Sequence, residues 1–301
     1  MIRFFYESVV RAKEKNCFYW KILYKVNKVL LNLIYPITQR NNRRSGISEE
    51  GQIIVSLTTY PARINQVWKT ISSLMNQTVR PKRIILWLAK EQFLEQQLPD
   101  SIKKLARRGL EIYYCEDLKS HKKYFEAMKR YPEEIIVTAD DDILYPENHL
   151  EKLWKAHLEY PADVICQWSH RISFDEEKAF LPYNNWMDNG REYPSFATLA
   201  VGCNGILYPP HALNDEAFHK DNLKKYALAA DDLWLKCMEL LAGTKTVNCN
   251  YSILIYYNVL STRKSGLWID NTGEKKNNDK VWSTLMKQYP EALHRLREEL
   301  E

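Results

Sequence analysis

The chain has 301 residues, of which 45% are hydrophobic and 27% are charged, as is typical of a globular protein and not of a disordered or fibrous one. Its formal net charge is +5, yet residues 1–44 hold ten Lys and Arg against two Glu, so the remainder of the chain carries −3. A general nucleic-acid-binding protein needs a basic face on its folded body, and this charge distribution argues against nucleic acid as a partner.

The cysteines and the apolar segments exclude two further classes. The six cysteines are scattered and form no C-x-x-C pair, which predicts reduced thiols and neither a zinc site nor a disulfide framework. No segment reaches the roughly 18 uninterrupted apolar residues of a membrane span, and none resembles a secretory signal peptide. We therefore expect a cytoplasmic protein.

Residues 1–50 are predicted to form a basic, amphipathic helical extension followed by a linker. Apolar residues recur at helical spacing up to Pro36, with lysines on another face of the helix: Ile22, Val26, Val29, Leu30 and Leu33, against Lys21, Lys25 and Lys28. Two interpretations stay open. The helix packs on the domain with solvated lysines, or residues 1–35 make peripheral contact with an anionic membrane, for example on the inner face of the cytoplasmic membrane.

From residue 52 onward, short apolar runs alternate with helical patterns. The predicted strands cover residues 53–57, 83–88, 110–114 and 134–139, and the helices between them cover 64–74, 102–109 and 121–131. This alternation predicts an α/β fold with a mainly parallel, Rossmann-like sheet flanked by helices. Ligands bind such sheets beyond the carboxyl ends of the strands. The turn at 58–63, the loop at 115–123 and the aspartates at 140–142 should therefore share one rim.

The triplet Asp140-Asp141-Asp142 directly follows the fourth predicted strand. Adjacent carboxylates repel one another unless a cation neutralises them, and Mn²⁺ or Mg²⁺ prefers carboxylate and phosphate oxygens. In an extended segment Asp140 and Asp142 share one side while Asp141 points elsewhere. The competing interpretation is a solvated acidic turn before a helix that starts near Glu147, with Pro146 in its first turn.

A second acidic pair, Asp231-Asp232, opens another predicted helix. Acidic residues are favoured at helix amino termini, and that alone explains many such pairs. A carboxylate beside a low-dielectric wall is also suited to be a general base. On that interpretation Asp232 is a better candidate than Asp231.

Several segments together resemble the bacterial GT-A glycosyltransferases of the family-two type, which assemble capsule, lipopolysaccharide and other surface polysaccharides. The resemblance rests on the order and spacing of short motifs: 56–64 (SLTTYPARI), 73–78 (SLMNQT), 84–87 (IILW), the DxD-like element at 140–142, 202–210 (GCNGILYPP) and the pair at 231–232. It covers roughly residues 52–245. The chain has neither a G-x-G-x-x-G fingerprint nor a Walker motif.

The resemblance implies a GT-A fold and a metal-assisted, inverting transfer from a nucleotide-diphosphate sugar, expected to be a UDP-sugar, to a glycan or lipid-linked saccharide acceptor. The nucleotide pocket would be lined by Thr58, Tyr60 and Arg63, with Asp117 at the base or ribose and Lys122 or Lys123 at the nucleotide or its diphosphate. Asp140 would hold the ribose or a metal-bound water, and Asp141 belongs to the same nucleotide-binding set. The metal ligands would be Asp142 and Asp140, and the catalytic pair would be Asp232 as the base with Asp231 beside it.

The predicted domain division is an extension at 1–50, a GT-A domain at 51–257, and a polar lid with a carboxyl-terminal helix at 258–301. No histidine lies between His219 and His294, so the identity of any third metal ligand from the lid stays open. Two other functions compete: a sugar nucleotidyltransferase, which usually has a glycine-rich first loop that this chain lacks, and a non-catalytic scaffold.

Overall fold

The computed structural model describes residues 1–39, 42, 44–94, 97–188, 193–249, 254–260 and 277–299. The helices are α1 (Ile2–Glu14), α2 (Trp20–Gln39), α3 (Val67–Leu74), α4 (Lys90–Phe93), α5 (Asp100–Ala106), α6 (Lys122–Arg130), α7 (His149–Glu159), α8 (Lys220–Tyr226), α9 (Asp231–Ala242), α10 (Asn277–Gln288) and α11 (Pro290–Glu298). The strands are β1 (Ile53–Thr58), β2 (Arg83–Ala89), β3 (Leu110–Cys115), β4 (Ile135–Ala139), β5 (Ile143–Leu144), β6 (Val164–Cys166), β7 (Ser169–Arg171), β8 (Met187–Asp188), β9 (Thr198–Ala200), β10 (Ile206–Tyr208), β11 (Thr246–Asn248) and β12 (Tyr257–Asn258).

A seven-stranded sheet in the order β11-β6-β10-β4-β1-β2-β3 forms the centre of the protein. Neighbouring strands run parallel, except that β10 is antiparallel to both β4 and β6. Strands β1, β2 and β4 are mostly aliphatic, and their side chains are buried on both faces of the sheet, as strands covered by helices on both sides require. The predicted mainly parallel α/β fold of GT-A type is confirmed.

The strand order places a crevice above β1 and β4. The chain passes from β1 to β2 and β3 on one side, and then returns to β4 on the other side of β1. Such a reversal leaves a gap at the carboxyl ends of the two central strands, which is where open α/β sheets bind ligands. Strand β10 is antiparallel to β4 with Ile206 opposite Thr138, so the loop before β10 reaches the same edge.

Helices α1 and α2 pack on the sheet domain and share its core, as the first interpretation of the extension expected. Ile2, Tyr6 and Leu31 are buried in the same apolar cluster as the residues of β1. The Tyr6 hydroxyl also donates a hydrogen bond to the Leu254 carbonyl at 2.7 Å. The contact with a membrane is not tested by this packing, because a helix can bury one face and expose another.

Two predicted helix boundaries are wrong. Helix α2 does not end near Pro36 but continues to Gln39, since a proline in the last turn removes only one backbone hydrogen bond. Helix α7 begins at His149 and not near Glu147. The carbonyls of Pro146 and Glu147 instead accept hydrogen bonds from Gln77 and Thr78, which hold that segment outside the helix.

A second apolar cluster lies under α9, α10 and α11, where Trp234, Trp282 and Leu296 are buried. The final helices therefore pack against α9. Of the predicted lid, residues 261–276 lie outside the described residues. The six cysteines are free thiols, as predicted.

Candidate active site

The three strand-end aspartates diverge as they leave β4. Asp140 accepts a hydrogen bond from the Lys123 ammonium at 2.8 Å. Asp141 turns into the protein, where it is buried and its carboxylate accepts hydrogen bonds from Thr59 and Arg63, both at 2.5 Å. Asp140 and Asp141 bind different partners, as expected of neighbours in an extended segment, but Asp142 shares Arg63 with Asp141 and not a partner with Asp140.

Arg63 joins two members of this motif. One of its guanidinium nitrogens lies 2.5 Å from Asp141 and 3.3 Å from an oxygen of Asp142. Burial raises the pKa of Asp141 above its usual value, although the charge of Arg63 opposes this. The guanidinium also lies over the ring of Tyr60, 5.4 Å from its centroid. Arg63 therefore fixes the strand-end motif against the turn that follows β1.

Lys123 connects the strand-end motif to the acidic pair of α9. Its ammonium lies 3.1 Å from Asp231 as well as 2.8 Å from Asp140, and its side chain is only 6% exposed. Burial lowers the pKa of Lys123, but the carboxylates of Asp140, Asp231 and Asp232 together raise it well above the usual value. The lysine is therefore charged and lies among three carboxylates.

The loop before β10 closes this cluster. The Gly202 amide donates a hydrogen bond to Asp232 at 3.3 Å. A Cβ atom at Gly202 would lie 3.2 Å from the Lys123 ammonium, 3.3 Å from Asp232 and 3.5 Å from Asp140. Glycine at this position thus lets the backbone approach Lys123, Asp140 and Asp232 closely.

The pKa values of the two carboxyls at the start of α9 are shifted in opposite directions. Burial raises the pKa of Asp231, but Lys123 and His121 outweigh it and lower that pKa to about 2. Burial, followed by the charge of Asp231, raises the pKa of Asp232 well above its usual value. Neighbouring carboxyls whose pKa values are driven apart are a common arrangement for acid–base chemistry.

Three further predicted nucleotide-site residues lie on the same rim: Lys122 and Asp117, which bind each other, and Thr58, which bonds to the neighbouring strand. The Lys122 ammonium lies 2.5 Å from Asp117, and only 3% of that lysine side chain is exposed. Asp117 also accepts a hydrogen bond from Gln92 at 2.8 Å. The Thr58 hydroxyl donates to the Trp87 carbonyl at 2.8 Å. Lys122 therefore faces Asp117, whose carboxyl is about one third exposed.

Sequence reasoning missed three residues of the site: Thr59, Thr70 and Cys203. The Thr59 hydroxyl donates a hydrogen bond to the Asp141 carboxylate, and the Thr70 hydroxyl donates one to the Asp141 backbone carbonyl at 2.9 Å. Burial raises the pKa of the Cys203 thiol, and the carboxylates of Asp140, Asp232 and Asp142 raise it further. Thr59 and Cys203 belong to motifs already singled out, while no local pattern distinguishes Thr70 from other helix residues.

The oxygen ligands of the strand-end motif suit a hard cation. Within the part of the chain that the structure describes, no group of three or more His, Cys, Asp or Glu side chains could hold a metal ion alone. Mg²⁺ and similar ions bind proteins through one or two carboxylates and take their other ligands from phosphates and water. Asp140 and Asp142, whose side chains are 33% and 16% exposed, match that chemistry.

Residues 55–206 of the chain match the protein family described as Glycosyl transferase family 2. No curated protein matches the sequence. Among solved structures, the chain is similar to the mannosyltransferase PcManGT from Pyrobaculum calidifontis in complex with GDP-Man and Mn²⁺, with a TM-score of 0.49, 10% identity, and coverage of 98% of this chain and 81% of that one. It is also similar to a 4-diphosphocytidyl-2C-methyl-D-erythritol synthase, with a TM-score of 0.40, 8% identity, and coverage of 73% and 98%.

Proposed function

Because the chain belongs to glycosyl transferase family 2, and is therefore a glycosyltransferase, we propose that it moves a sugar from a nucleotide-diphosphate sugar to a hydroxyl group with inversion. The proposed acceptor is a glycan or a lipid-linked saccharide, as in the assembly of bacterial surface polysaccharides, and the proposed donor is a UDP-sugar. One observation carries the proposal. Asp140, Asp231, Asp232 and Lys123 lie together at the carboxyl edge of the sheet, beside the crevice between β1 and β4.

The first part of the proposal concerns the base. Asp232 would take the proton of the acceptor hydroxyl while the acceptor oxygen forms its bond to the anomeric carbon and the bond from that carbon to the diphosphate oxygen breaks. A carboxylate with a raised pKa is a stronger base than an ordinary one, and the pKa of Asp232 is raised while that of Asp231 is lowered. This difference supports Asp232 as the base. Asp231 would then hold Lys123.

The second part concerns the donor. Asp142 and Asp140 would hold Mn²⁺ or Mg²⁺, which when bound neutralises the leaving diphosphate. Thr58, Tyr60 and Arg63 would line the nucleotide pocket beyond β1, and Asp117 would contact the base or ribose. Lys122 would act by orienting Asp117, which it contacts. Lys123 would position Asp140 and Asp231, and its charge would also favour the diphosphate nearby.

A donor panel tests this function. The purified protein is incubated with UDP-, GDP- and CMP-sugars, with Mn²⁺, with Mg²⁺ or with EDTA, and release of the free nucleotide is measured. We expect one nucleoside diphosphate to be released, only with a metal ion present. A second incubation, with a nucleoside triphosphate and a sugar phosphate, tests for a nucleotidyltransferase, which would release pyrophosphate. A scaffold would react with no donor and would not bind Mn²⁺–nucleotide.

A further inference from the structure

Helix α2 carries a stripe of aliphatic side chains that face solvent. We call it the outer stripe, and it consists of Ile22, Val26, Val29, Leu30, Leu33 and Ile37. Ile22 is 63% exposed, Leu33 is 62% exposed and Ile37 is 74% exposed. These residues recur every three or four positions and so share one side of the helix. An exposed apolar surface of this continuity is unusual on a monomeric protein and marks an interaction site.

The orientation of α2 is fixed by the opposite side of the helix. Leu31 and Tyr35 are buried in the core. The Asn32 side chain, itself only 7% exposed, donates to the Asn258 carbonyl at 3.1 Å and accepts from the Leu260 amide at 2.8 Å. Helix α2 thus buries two asparagines beside Leu31 and Tyr35, while the aliphatic residues of the outer stripe face solvent. The outer stripe cannot turn inward without breaking these contacts.

Positive charge and aromatic rings border the outer stripe. Lys21 and Lys25 are exposed, each directly preceding a stripe residue, and α2 contains no acidic residue. None of the described acidic side chains forms an ion pair with Lys21 or Lys25. Phe18, in the turn before α2, is 92% exposed. Apolar side chains beside lysines and aromatic rings are the features with which helices bind anionic bilayer surfaces.

We propose that the outer stripe docks on the surface of an anionic phospholipid bilayer, with α2 lying in the plane of the interface and Phe18 inserted beside it. Among the described residues no helix is long and apolar enough to cross a bilayer. Charge favours lipid over a second copy of the chain. Two copies meeting through this stripe would bring their unpaired lysines together, whereas lipid phosphates neutralise Lys21 and Lys25.

Docking through α2 would bring the candidate active site close to lipid. Asn32 holds Asn258 and Leu260, and the amide of Val259 between them donates to the Asp142 carbonyl at 2.7 Å. One hydrogen-bonded segment therefore separates the membrane-facing helix from the strand-end motif. The exposure and charge of the outer stripe are independent of the proposed transferase reaction.

Vesicle co-sedimentation tests the proposal with the intact chain. We expect at least about tenfold tighter binding to vesicles of phosphatidylglycerol and phosphatidylcholine than to phosphatidylcholine alone. The Ile22→Gln/Leu33→Gln variant should bind at least about tenfold more weakly, because its apolar stripe is interrupted. The Lys21→Glu/Lys25→Glu variant should lose about 25-fold or more, given roughly fivefold per lysine near an anionic surface.

Matched controls separate this site from general effects. Leu158 is 63% exposed on α7, so Leu158→Gln removes a similar exposed leucine elsewhere. Lys104→Glu/Lys287→Glu makes the same charge change at exposed lysines of α5 and α10. Both controls should bind vesicles as the wild type does. Three outcomes would each overturn the proposal. The Ile22→Gln/Leu33→Gln variant binds vesicles as tightly as the wild type, or the wild type does not bind them at all. The third is a dimer of the wild type in sedimentation equilibrium that the Ile22→Gln/Leu33→Gln substitutions dissociate.

Discussion

The Lys123 ammonium lies 2.8 Å from the Asp140 carboxylate and so joins the end of a central strand to the acidic start of helix α9. Residues far apart in the chain thereby form one cluster with Asp231 and Asp232. Only 6% of the Lys123 side chain is exposed, so little water competes with the carboxylates for its ammonium. The cluster is therefore already assembled in the free protein.

Replacing Lys123 should cost both stability and activity. Lys123→Met leaves Asp140 and Asp231 without the counter-charge of a buried ammonium. Removing one partner of a fully buried ion pair typically costs about 3–5 kcal/mol, and the partial exposure of Asp140 makes that an upper value here. Lys123→Arg, which keeps the charge, should lose less. Urea unfolding at pH 7.5 measures the difference, with Lys104→Met on the exposed face of α5 as the matched control. A Lys123→Met protein as stable as the wild type would mean that the cluster does not need this cation.

Asp142→Ala should abolish metal-dependent nucleotide binding. The substitution removes a proposed ligand, and we expect the affinity for Mn²⁺ with UDP or GDP to fall by at least about 100-fold. Titration calorimetry measures it directly. Asp100→Ala, at a side chain that is 88% exposed, serves as the control and should bind normally. Undiminished Mn²⁺–nucleotide affinity in the Asp142 variant would remove this residue from the metal site.

Asp232→Asn should bind the donor yet turn over about 10²–10⁴-fold more slowly, because the amide cannot accept the acceptor proton. The shape of the side chain is kept, so nucleotide affinity should change little. Single-turnover kinetics on the donor identified by the panel, together with calorimetry, separates the two effects. Normal turnover by this variant would place the base elsewhere or point to retention of configuration.

Two buried histidines should make the protein sensitive to acid. Burial lowers the pKa of His121 to about 4 and that of His149 to about 3, whereas unfolded histidine titrates near pH 6.5. Between those values the unfolded chain binds more protons than the folded one, so stability falls as the pH falls. Each histidine should remove about 2 kcal/mol between pH 7 and pH 5.

His149→Phe tests this pH dependence. The Nε2 atom of His149 has no hydrogen-bond partner among the described residues, and its Nδ1 atom lies 2.9 Å from the Gln167 amide nitrogen. A phenyl ring removes the titrating group at the cost of that one contact. The variant should lose about 2 kcal/mol less than the wild type between pH 7 and pH 5, as measured by urea unfolding at both pH values. His294→Gln, at a side chain that is 79% exposed, should leave the pH dependence unchanged. A His149→Phe slope equal to that of the wild type contradicts the assignment.

Much of the fold follows from local pattern. Runs such as 53–57 and 134–139 are mostly aliphatic, as strands buried on both faces are, and the structure has β1 and β4 there. The helix boundaries predicted from Pro36 and Pro146 were wrong because a proline can lie within a turn of a helix or outside the helix. Tertiary hydrogen bonds from Gln77 and Thr78 selected one of them near Pro146.

The aspartates at 140–142 could be placed on the rim from the sequence because the carboxyl ends of parallel strands meet at one edge of the sheet. The pair at 231–232 could be singled out only as acidic residues that open a helix. The partner of each carboxylate could not be found in this way. Lys123 and Asp231 are separated by more than a hundred positions, and their contact depends on how α6 packs on β1 and β4 and how α9 packs on β9. The same holds for Thr70, which reaches Asp141 only through the packing of α3.

The amino-acid sequence alone was enough to predict the alternating α/β architecture, the acidic rim and the basic, amphipathic character of α2, because periodicity and charge are local properties. Folding in three dimensions was needed to show that Asp231 and Asp232 differ in proton affinity and that the aliphatic side of α2 faces outward. Both depend on burial and on contacts between distant segments: the first on Lys123, the second on the hydrogen bonds that fix Asn32. Such contacts leave no periodic trace in a sequence.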